Sequence, residues 1–325
     1  MDALRREIAA CEFPWRPETL YLGGGTPSGL DPADLRSLLQ LVPGSPWIEA
    51  TIEAAPGGIM REKAEAWRAA GINRASLGVQ TFVQREIART GRKHTALIVA
   101  DEVALLRACG IENINIDLIA GLSGQTEQSW RDSLDWIERI APDHVSVYML
   151  EVDDDSRLGR ELRLGGVRYG AADTPTEELT ADLYEMAVER LGHMGIARYE
   201  ISNFAHPGME SRHNLKYWLL DPYLGFGADA HSFDGRVRWA NPESLEDYLS
   251  SGKSHSIAPA QPEERFFVGL RLTRGIRPEP AEWQRFHEPI QRFLDAGLLE
   301  TDAGNLRLTG RGILLSNEVF QEFLT

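Results

Sequence analysis

Four polar residues, Glu53, Gln80, Asp117 and Glu151, stand roughly 30 residues apart, about the length of one strand–helix unit. A glycine run, Gly23-Gly24-Gly25-Thr26-Pro27, precedes them. Bare glycine N–H groups can take an anion or a carboxylate, and glycine lets a ligand approach the backbone closely. Carboxylates and an amide on the same rim can take amines and hydroxyls. Together they favour one polar ligand such as an amino acid or a nucleoside, although each residue alone reads equally well as a satisfied polar group in a core. A second group lies further on, where residues 199–239 crowd aromatics, glycines and histidines, among them His213, Tyr217, Trp218 and His231. The two cysteines, Cys11 and Cys109, are far apart. They suggest no disulfide framework, and they are too few for the three or four thiolates that usually hold an iron–sulfur cluster.

The elements that must position these residues alternate between strand and helix. Thr19–Leu22 is a short strand running into the glycines. Asp31 followed by Pro32 predicts a helix start, and Leu35, Leu38, Leu39 and Val42 fall on one face. The strand Trp47–Ala54 places Ile48, Ala50 and Ile52 on one side and Glu49, Thr51 and Glu53 on the other. Helices are expected around 63–70, 96–108 and 129–140, and strands at 75–79, 113–119 and 144–150. This order predicts parallel strands with covering helices, either as a barrel with its chemistry at the C-terminal rim or as an open doubly wound sheet. Residues 152–175 read as a long loop and 176–192 as a helix. A smaller unit follows from about 260, with a helix at 282–296, a strand at 306–309 and a last helix at 319–324, a winged-helix-like order.

The formal net charge of −15 argues against a general affinity for phosphate backbones. Residues 265–325 carry eight Arg, no Lys and eight acidic residues, so the C-terminal unit is expected to be structural rather than a reader of nucleic acid. No apolar run approaches the ~18 residues of a membrane span. The first residues lack the apolar core of a signal peptide, and a cytoplasmic protein is expected.

Four segments in order resemble the oxygen-independent coproporphyrinogen-oxidase-like radical S-adenosylmethionine family: Leu22-Gly23-Gly24-Gly25-Thr26-Pro27-Ser28, Ser76-Leu77-Gly78-Val79-Gln80-Thr81-Phe82, Gly91-Arg92-Lys93-His94 and Asn115 to Leu122. The resemblance implies a partial (β/α)6 TIM-like barrel with S-adenosylmethionine across its rim. It implies that Gly24, Gly25 and Thr26 meet the methionine part, that Glu53, Gln80, Arg92 and Asp117 hold the amino-acid and ribose parts, and that Glu151 lines the same site. Tyr199-Glu200-Ile201-Ser202-Asn203-Phe204-Ala205, His213-Asn214-Leu215-Lys216-Tyr217-Trp218 and Tyr223 to Ser232 resemble the HemW branch, whose members are regarded as heme chaperones. Imidazole can ligate heme iron and flat aromatic rings can pack on it. His213 and His231 are the first candidates, with Tyr217 and Trp218 beside them; His193 and His206 rank lower.

Two departures shape the expectations. Asp229 stands where the resemblance has a glycine. The family's first barrel strand and its C-x3-C-x2-C loop, which holds a [4Fe–4S] cluster, have no counterpart in this sequence, so the barrel is expected to lack that strand and the cluster its ligands. The expected organisation is a partial barrel at 1–165, a barrel-closing and heme-binding region at 166–258 and a winged-helix-like domain at 259–325. The leading expectation is a heme chaperone that passes heme to apo-hemoproteins without cluster-dependent radical chemistry. The alternatives are a radical oxidase or dehydrogenase acting on a porphyrinogen, and a degenerate module that only binds S-adenosylmethionine. Whether the chain catalyses a reaction stays open at this stage, as do a homodimer and a peripheral membrane contact.

Overall fold

The computed structural model describes residues 1–151, 160, 161, 164, 170–251 and 256–324. Its first half alternates as the periodicity requires: α1 (Asp2–Ala10), β1 (Thr19–Leu22), α2 (Pro32–Leu39), β2 (Glu49–Ala54), α3 (Arg61–Ala69), β3 (Arg74–Gln80), α4 (Gln84–Arg89), α5 (Ala96–Ala108), β4 (Asn113–Ala120), α6 (Glu127–Ile140) and β5 (His144–Met149). Then come α7 (Glu177–His193), β6 (Ala197–Arg198), β7 (Asn203–Ala205) and α8 (Arg212–Trp218). The sheet order is β1-β2-β3-β4-β5-β7-β6. The first five strands are parallel, β7 runs antiparallel to β5, and β6 antiparallel to β7. The described strands form no closed ring, so β1 and β6 are edges.

Side-chain alternation makes the two faces of this sheet chemically different. Leu20, Ala50, Ile52, Ala75, Leu77, Val79, Ile114, Ile116, Leu118, Val145 and Val147 point to one face and are buried. Trp67, Val103, Leu106, Trp130, Leu134, Leu183 and Leu191, buried residues of the covering helices, belong to the same apolar core. Opposite positions carry Thr19, Tyr21, Glu49, Thr51, Glu53, Arg74, Ser76, Asn113, Asn115, Asp117, His144, Ser146 and Tyr148. A closed eight-stranded barrel fills its interior with branched aliphatics. Here that face of the five parallel strands holds one, the half-buried Ile119 near the end of β4, which suits a ligand chamber better than a packed core.

The remaining chain builds two small additions. The first is a sheet in the order β10-β9-β8, from β8 (His231–Phe233), β9 (Val237–Ala240) and β10 (Ser256–Pro259), with α9 (Leu245–Ser251) before its last strand. The second comprises α10 (Glu264–Gly269), α11 (Pro280–Arg285), α12 (His287–Asp295), the hairpin β11 (Leu299–Asp302) and β12 (Asn305–Leu308), α13 (Gly310–Leu314) and α14 (Ser316–Gln321). Its centre is aromatic, with the Phe266 ring 4.6 Å from Phe286 and 4.9 Å from Phe323. A backbone bridge between Glu200 and Leu272 ties this unit to the end of the main sheet.

Three expectations need correction. The single helix at 282–296 is two, broken at Phe286 (φ −102°, ψ 20°). Pro289 explains the break, because in a continuous helix its ring would press on the carbonyl of Arg285. The strand expected from Trp47 begins at Glu49, and Ile48 is exposed rather than in line with Ala50 and Ile52. Most of the loop expected at 152–175 lies outside the described residues; within it Ala171–Asp173 forms a 3-10 turn.

Candidate functional site

The C-terminal ends of the parallel strands bring most of the rim residues to one edge of the polar face. Gly24 and Gly25 lie in the left-handed region (φ +72° and +57°), and a side chain at either would meet nothing within 4 Å. Their backbone therefore faces open space, as ligand contact requires. A Cβ on Gly23 would sit 2.9 Å from the Tyr21 ring and 3.3 Å from Glu53 Oε1, so the glycine loop passes directly over that carboxylate. The Tyr21 hydroxyl donates to Glu53 Oε1 at 2.7 Å. Burial, and then the Glu53 charge, push the Tyr21 phenol well above its usual range, so this donor keeps its proton.

Gln80 ends β3 in the left-handed region (φ +71°), after an irregularity in the pairing with β4. A non-glycine residue there costs about 1–2 kcal/mol. A Cβ on Gly78 would lie 3.3 Å from Gln80 Nε2 and 3.4 Å from Arg92 Nη2, so the amide and the guanidinium gather over that glycine. Asp117 accepts from Asn115 Nδ2 at 2.7 Å and from the Ser76 hydroxyl at 3.2 Å. Burial raises its pKa, against the lowering effect of these hydrogen bonds. Glu53, Gln80, Arg92 and Asp117 thus offer two carboxylates, an amide and a cation beside free backbone N–H groups. That set fits the ammonium, carboxylate and hydroxyl groups of S-adenosylmethionine. Glu151 is exposed and accepts from Asn317 Nδ2 at 3.2 Å, so it is tied to the last helix rather than to the other rim residues.

Below the rim runs a polar network that sequence reasoning missed. Asn115 gives its two Nδ2 protons to Asp117 and Ser76, so its Oδ1 accepts from His144 Nδ1 at 2.6 Å and from the Ser146 hydroxyl at 3.2 Å. His144 Nε2 then accepts from the Tyr199 hydroxyl at 2.8 Å, which itself accepts from the Ser211 amide at 3.2 Å. Burial, and then Arg74, hold the His144 pKa well below its usual value, in keeping with this neutral tautomer. Glu49, buried at the start of β2, closes the network. Its carboxylate accepts from the Ser211 hydroxyl (3.3 Å) and from the amides of Arg212 and His213 (both 2.9 Å), capping α8. The signal available in sequence was the polar residue at every second position of each strand; partners some 160 residues apart were not readable.

The heme candidates fall around a cleft of about 850 Å³ beside the free edge of β1. Its walls include Ile8, Phe13, Trp15, Leu20, Leu39, Tyr217, Tyr223, Phe226 and His231. The volume falls within the ~300–1,000 Å³ typical of small-molecule sites. Three of the four candidates line it, but they are not equivalent. His213 has both ring nitrogens engaged, Nδ1 with Thr19 Oγ1 and Nε2 with the Tyr217 hydroxyl, each at 2.9 Å, and it stacks on Tyr21. Burial, followed by Lys216 and Arg74, lowers its pKa to about 4. Tyr217 is pushed up to about 12 by burial, which disfavours the phenolate an iron ion would need. His231 stands at the mouth with its side chain 66% exposed, and its nearest polar contact is Asp229 Oδ1 at 3.8 Å. Asp229 adopts φ +58°, so the turn keeps the left-handed shape a glycine would favour. Trp218 does not line the cleft; its ring packs under the Arg271 guanidinium, 4.5 Å from the centroid.

The two cysteines do not fit an iron–sulfur cluster. Cys11 ends α1 and lines a separate hollow of about 490 Å³, and Cys109 ends α5 beside Arg61. Among the described residues no group of three or more His, Cys, Asp or Glu is placed to hold a metal ion. No helix among them is long and apolar enough to cross a membrane.

Comparison with known proteins agrees with this geometry. The family model of the Radical SAM superfamily matches residues 1–137, and that of the HemN C-terminal domain matches residues 258–315. The structure of coproporphyrinogen III oxidase (HemN) from Escherichia coli, described as a radical SAM enzyme, superposes with a TM-score of 0.84 at 22% identity, over 100% of this chain and 82% of that one. The two family models therefore define a protein of the radical SAM class, and the superposition gives it a HemN-like architecture. Among curated relatives, the heme chaperones HemW of Bacillus subtilis and Lactococcus lactis are each 34% identical. The first match covers 94% of this chain and 85% of the relative, the second 100% and 89%. HemW of Mycobacterium tuberculosis is also 34% identical, over 94% of this chain and 80% of its own length. The chain belongs to the HemW family.

Proposed function

We propose that this protein binds heme in the cleft beside β1 and hands it to apo-hemoproteins in the cytoplasm, and that its rim holds S-adenosylmethionine. The observation that carries the heme reading is a cleft of about 850 Å³ with aromatic walls and an imidazole, His231, free at its mouth. Phe13, Tyr217, Tyr223 and Phe226 supply flat apolar surface for a porphyrin, and His231 supplies an axial nitrogen. The Asp229 carboxylate, 3.8 Å from its Nε2, can orient the ring. His213 has a different task. Held between Thr19 and Tyr217 and stacked on Tyr21, it fixes the wall that α8 presents to the cleft. An exposed ligand at the mouth suits a carrier, which must release its cargo.

At the rim, Glu53, Gln80, Arg92 and Asp117 take the amino-acid and ribose groups of S-adenosylmethionine, and the backbone of Gly24 to Thr26 lies along its methionine part. Bound S-adenosylmethionine supplies radical chemistry only when a reduced cluster gives it an electron. The cysteines of this chain do not fit such a cluster, so the rim acts here as a binding site. Heme-loaded protein mixed with an apo-hemoprotein tests the reading: the Soret band should move to that of the acceptor, with the carrier returning to its heme-free spectrum. Heme that stays on the carrier over hours, or that reaches the acceptor no faster than from heme-loaded serum albumin, contradicts it.

A further inference from the structure

Arg74 opens β3 on the polar face and is 2% exposed, yet its side chain has no ion pair and no hydrogen bond among the described residues. Its Nε is fully enclosed without a partner; its two Nη atoms also lack partners but are not among the fully enclosed ones. A buried, unpaired guanidinium is costly, and native structures rarely keep one without an anion. The carboxylates nearby are already engaged. Glu49 holds the start of α8, and Asp117 holds Asn115 and Ser76. The Arg74 charge is felt by Tyr21 and Asp117 above it, by His144 and Tyr199 beside it and by His213 next to the cleft. It is therefore within electrostatic reach of both the rim and the cleft wall, with a fork of donors left over.

We propose that Arg74 is the anchor of a carboxylate-binding subsite at the base of the polar face. The inference rests on the reading above, which brings two carboxylate-bearing ligands to this protein. In the sheet register Arg74 stands beside Thr51 and Asn113, so Glu53 and Asp117 lie two and four residues above it, a strand rise of about 7 Å and 13 Å. Arg74 is not among the residues that line the cleft, so a porphyrin propionate coming from that side would pass the stacked His213 and Tyr21 to reach it. An amino-acid carboxylate coming down from the rim has the same chemistry and is the other source.

The test compares wild type with Arg74→Met and Arg74→Lys, using four probes: heme, heme dimethyl ester, S-adenosylmethionine and 5′-methylthioadenosine. The ester and the thioadenosine lack the carboxylates of their partners. Arg74→Met should weaken heme at least about 10-fold and leave the ester unchanged, with Arg74→Lys recovering part of the loss. The same pattern in the second pair would assign the subsite to the amino-acid carboxylate instead. Unchanged affinity for both acids, or equal losses for acid and acid-free probes, overturns the proposal while leaving the heme reading intact. A wild-type chain that binds neither acid overturns both. If Arg74→Met does not fold, the pairwise ratios for Arg74→Lys decide: a ratio of one in both pairs overturns the subsite.

Discussion

Glu49→Ala should loosen α8 and nothing at the rim. The Glu49 carboxylate is 4% exposed and receives three donors, two of them backbone amides of the first turn of α8. A hydrogen bond to a charged group contributes about 1.5–3 kcal/mol, and losing three would sum to about 4.5–9 kcal/mol. Relief of the buried carboxylate's desolvation offsets part of this, so a net cost near 3 kcal/mol is expected. Hydrogen exchange reads it locally: amides of residues 212–218 should exchange about 100-fold faster. Glu49→Gln keeps one acceptor and should cost about 1–2 kcal/mol. Glu53→Gln, whose carboxylate bonds to Tyr21 and not to α8, should leave those amides unchanged. Because His213 and Tyr217 ride on α8, heme affinity should fall in Glu49→Ala and hold in Glu53→Gln. Exchange at 212–218 within threefold of wild type in Glu49→Ala would refute the capping argument.

Three further outcomes follow from other parts of the molecule. His213 and His144 are neutral in the folded state with lowered pKa values, so the unfolded chain binds more protons below pH 6.5. Stability is therefore full above pH ~6.5 and falls toward pH 4, by about 3 kcal/mol from His213; urea midpoints for wild type and His213→Gln should converge as the pH drops, and parallel profiles would count against it. Within the sheet, β1 pairs only with β2 among the described strands, so amides of residues 20–22 should exchange much faster than those of 114–118, and equal protection would show the edge to be covered. Anaerobic reconstitution of the 325-residue chain with iron and sulfide should give no [4Fe–4S] EPR signal, since its two cysteines lie on separate helices; a cluster signal would require ligands not recognised at either position.

The parallel strands were legible from the strand–helix alternation, and so was the placement of Glu53, Gln80 and Asp117 in the second halves of β2, β3 and β4; whether the sheet closes or winds both ways was not. The Asp31–Pro32 helix start was legible for a local reason too, since Asp31 accepts from the Ala33 amide within two residues. What failed was either tertiary or dependent on one residue. Pro289 split a helix that its apolar periodicity made continuous, and Ile48 fell outside its strand because pairing with β1 begins at Glu49. His213 and His231 looked alike in sequence; Thr19 and Tyr217 engage one, and nothing comparable engages the other. Arg74 and His144 escaped notice because each is an isolated charged or polar residue at the head of an apolar strand. Their importance lies in burial, which sequence alone does not give. The cleft is assembled from residues 4–42 and 213–231, so no local pattern announces it.

Heme titration of the wild-type chain alongside His231→Ala and His213→Ala tests the central claim most directly. The account predicts a saturable, shifted Soret band at one heme per chain. It predicts loss of the ligated spectrum in His231→Ala, with a weaker but spectrally normal complex in His213→Ala. An unaltered spectrum and affinity in His231→Ala, or a wild-type chain that takes up heme no better than an unrelated acidic protein, would contradict it.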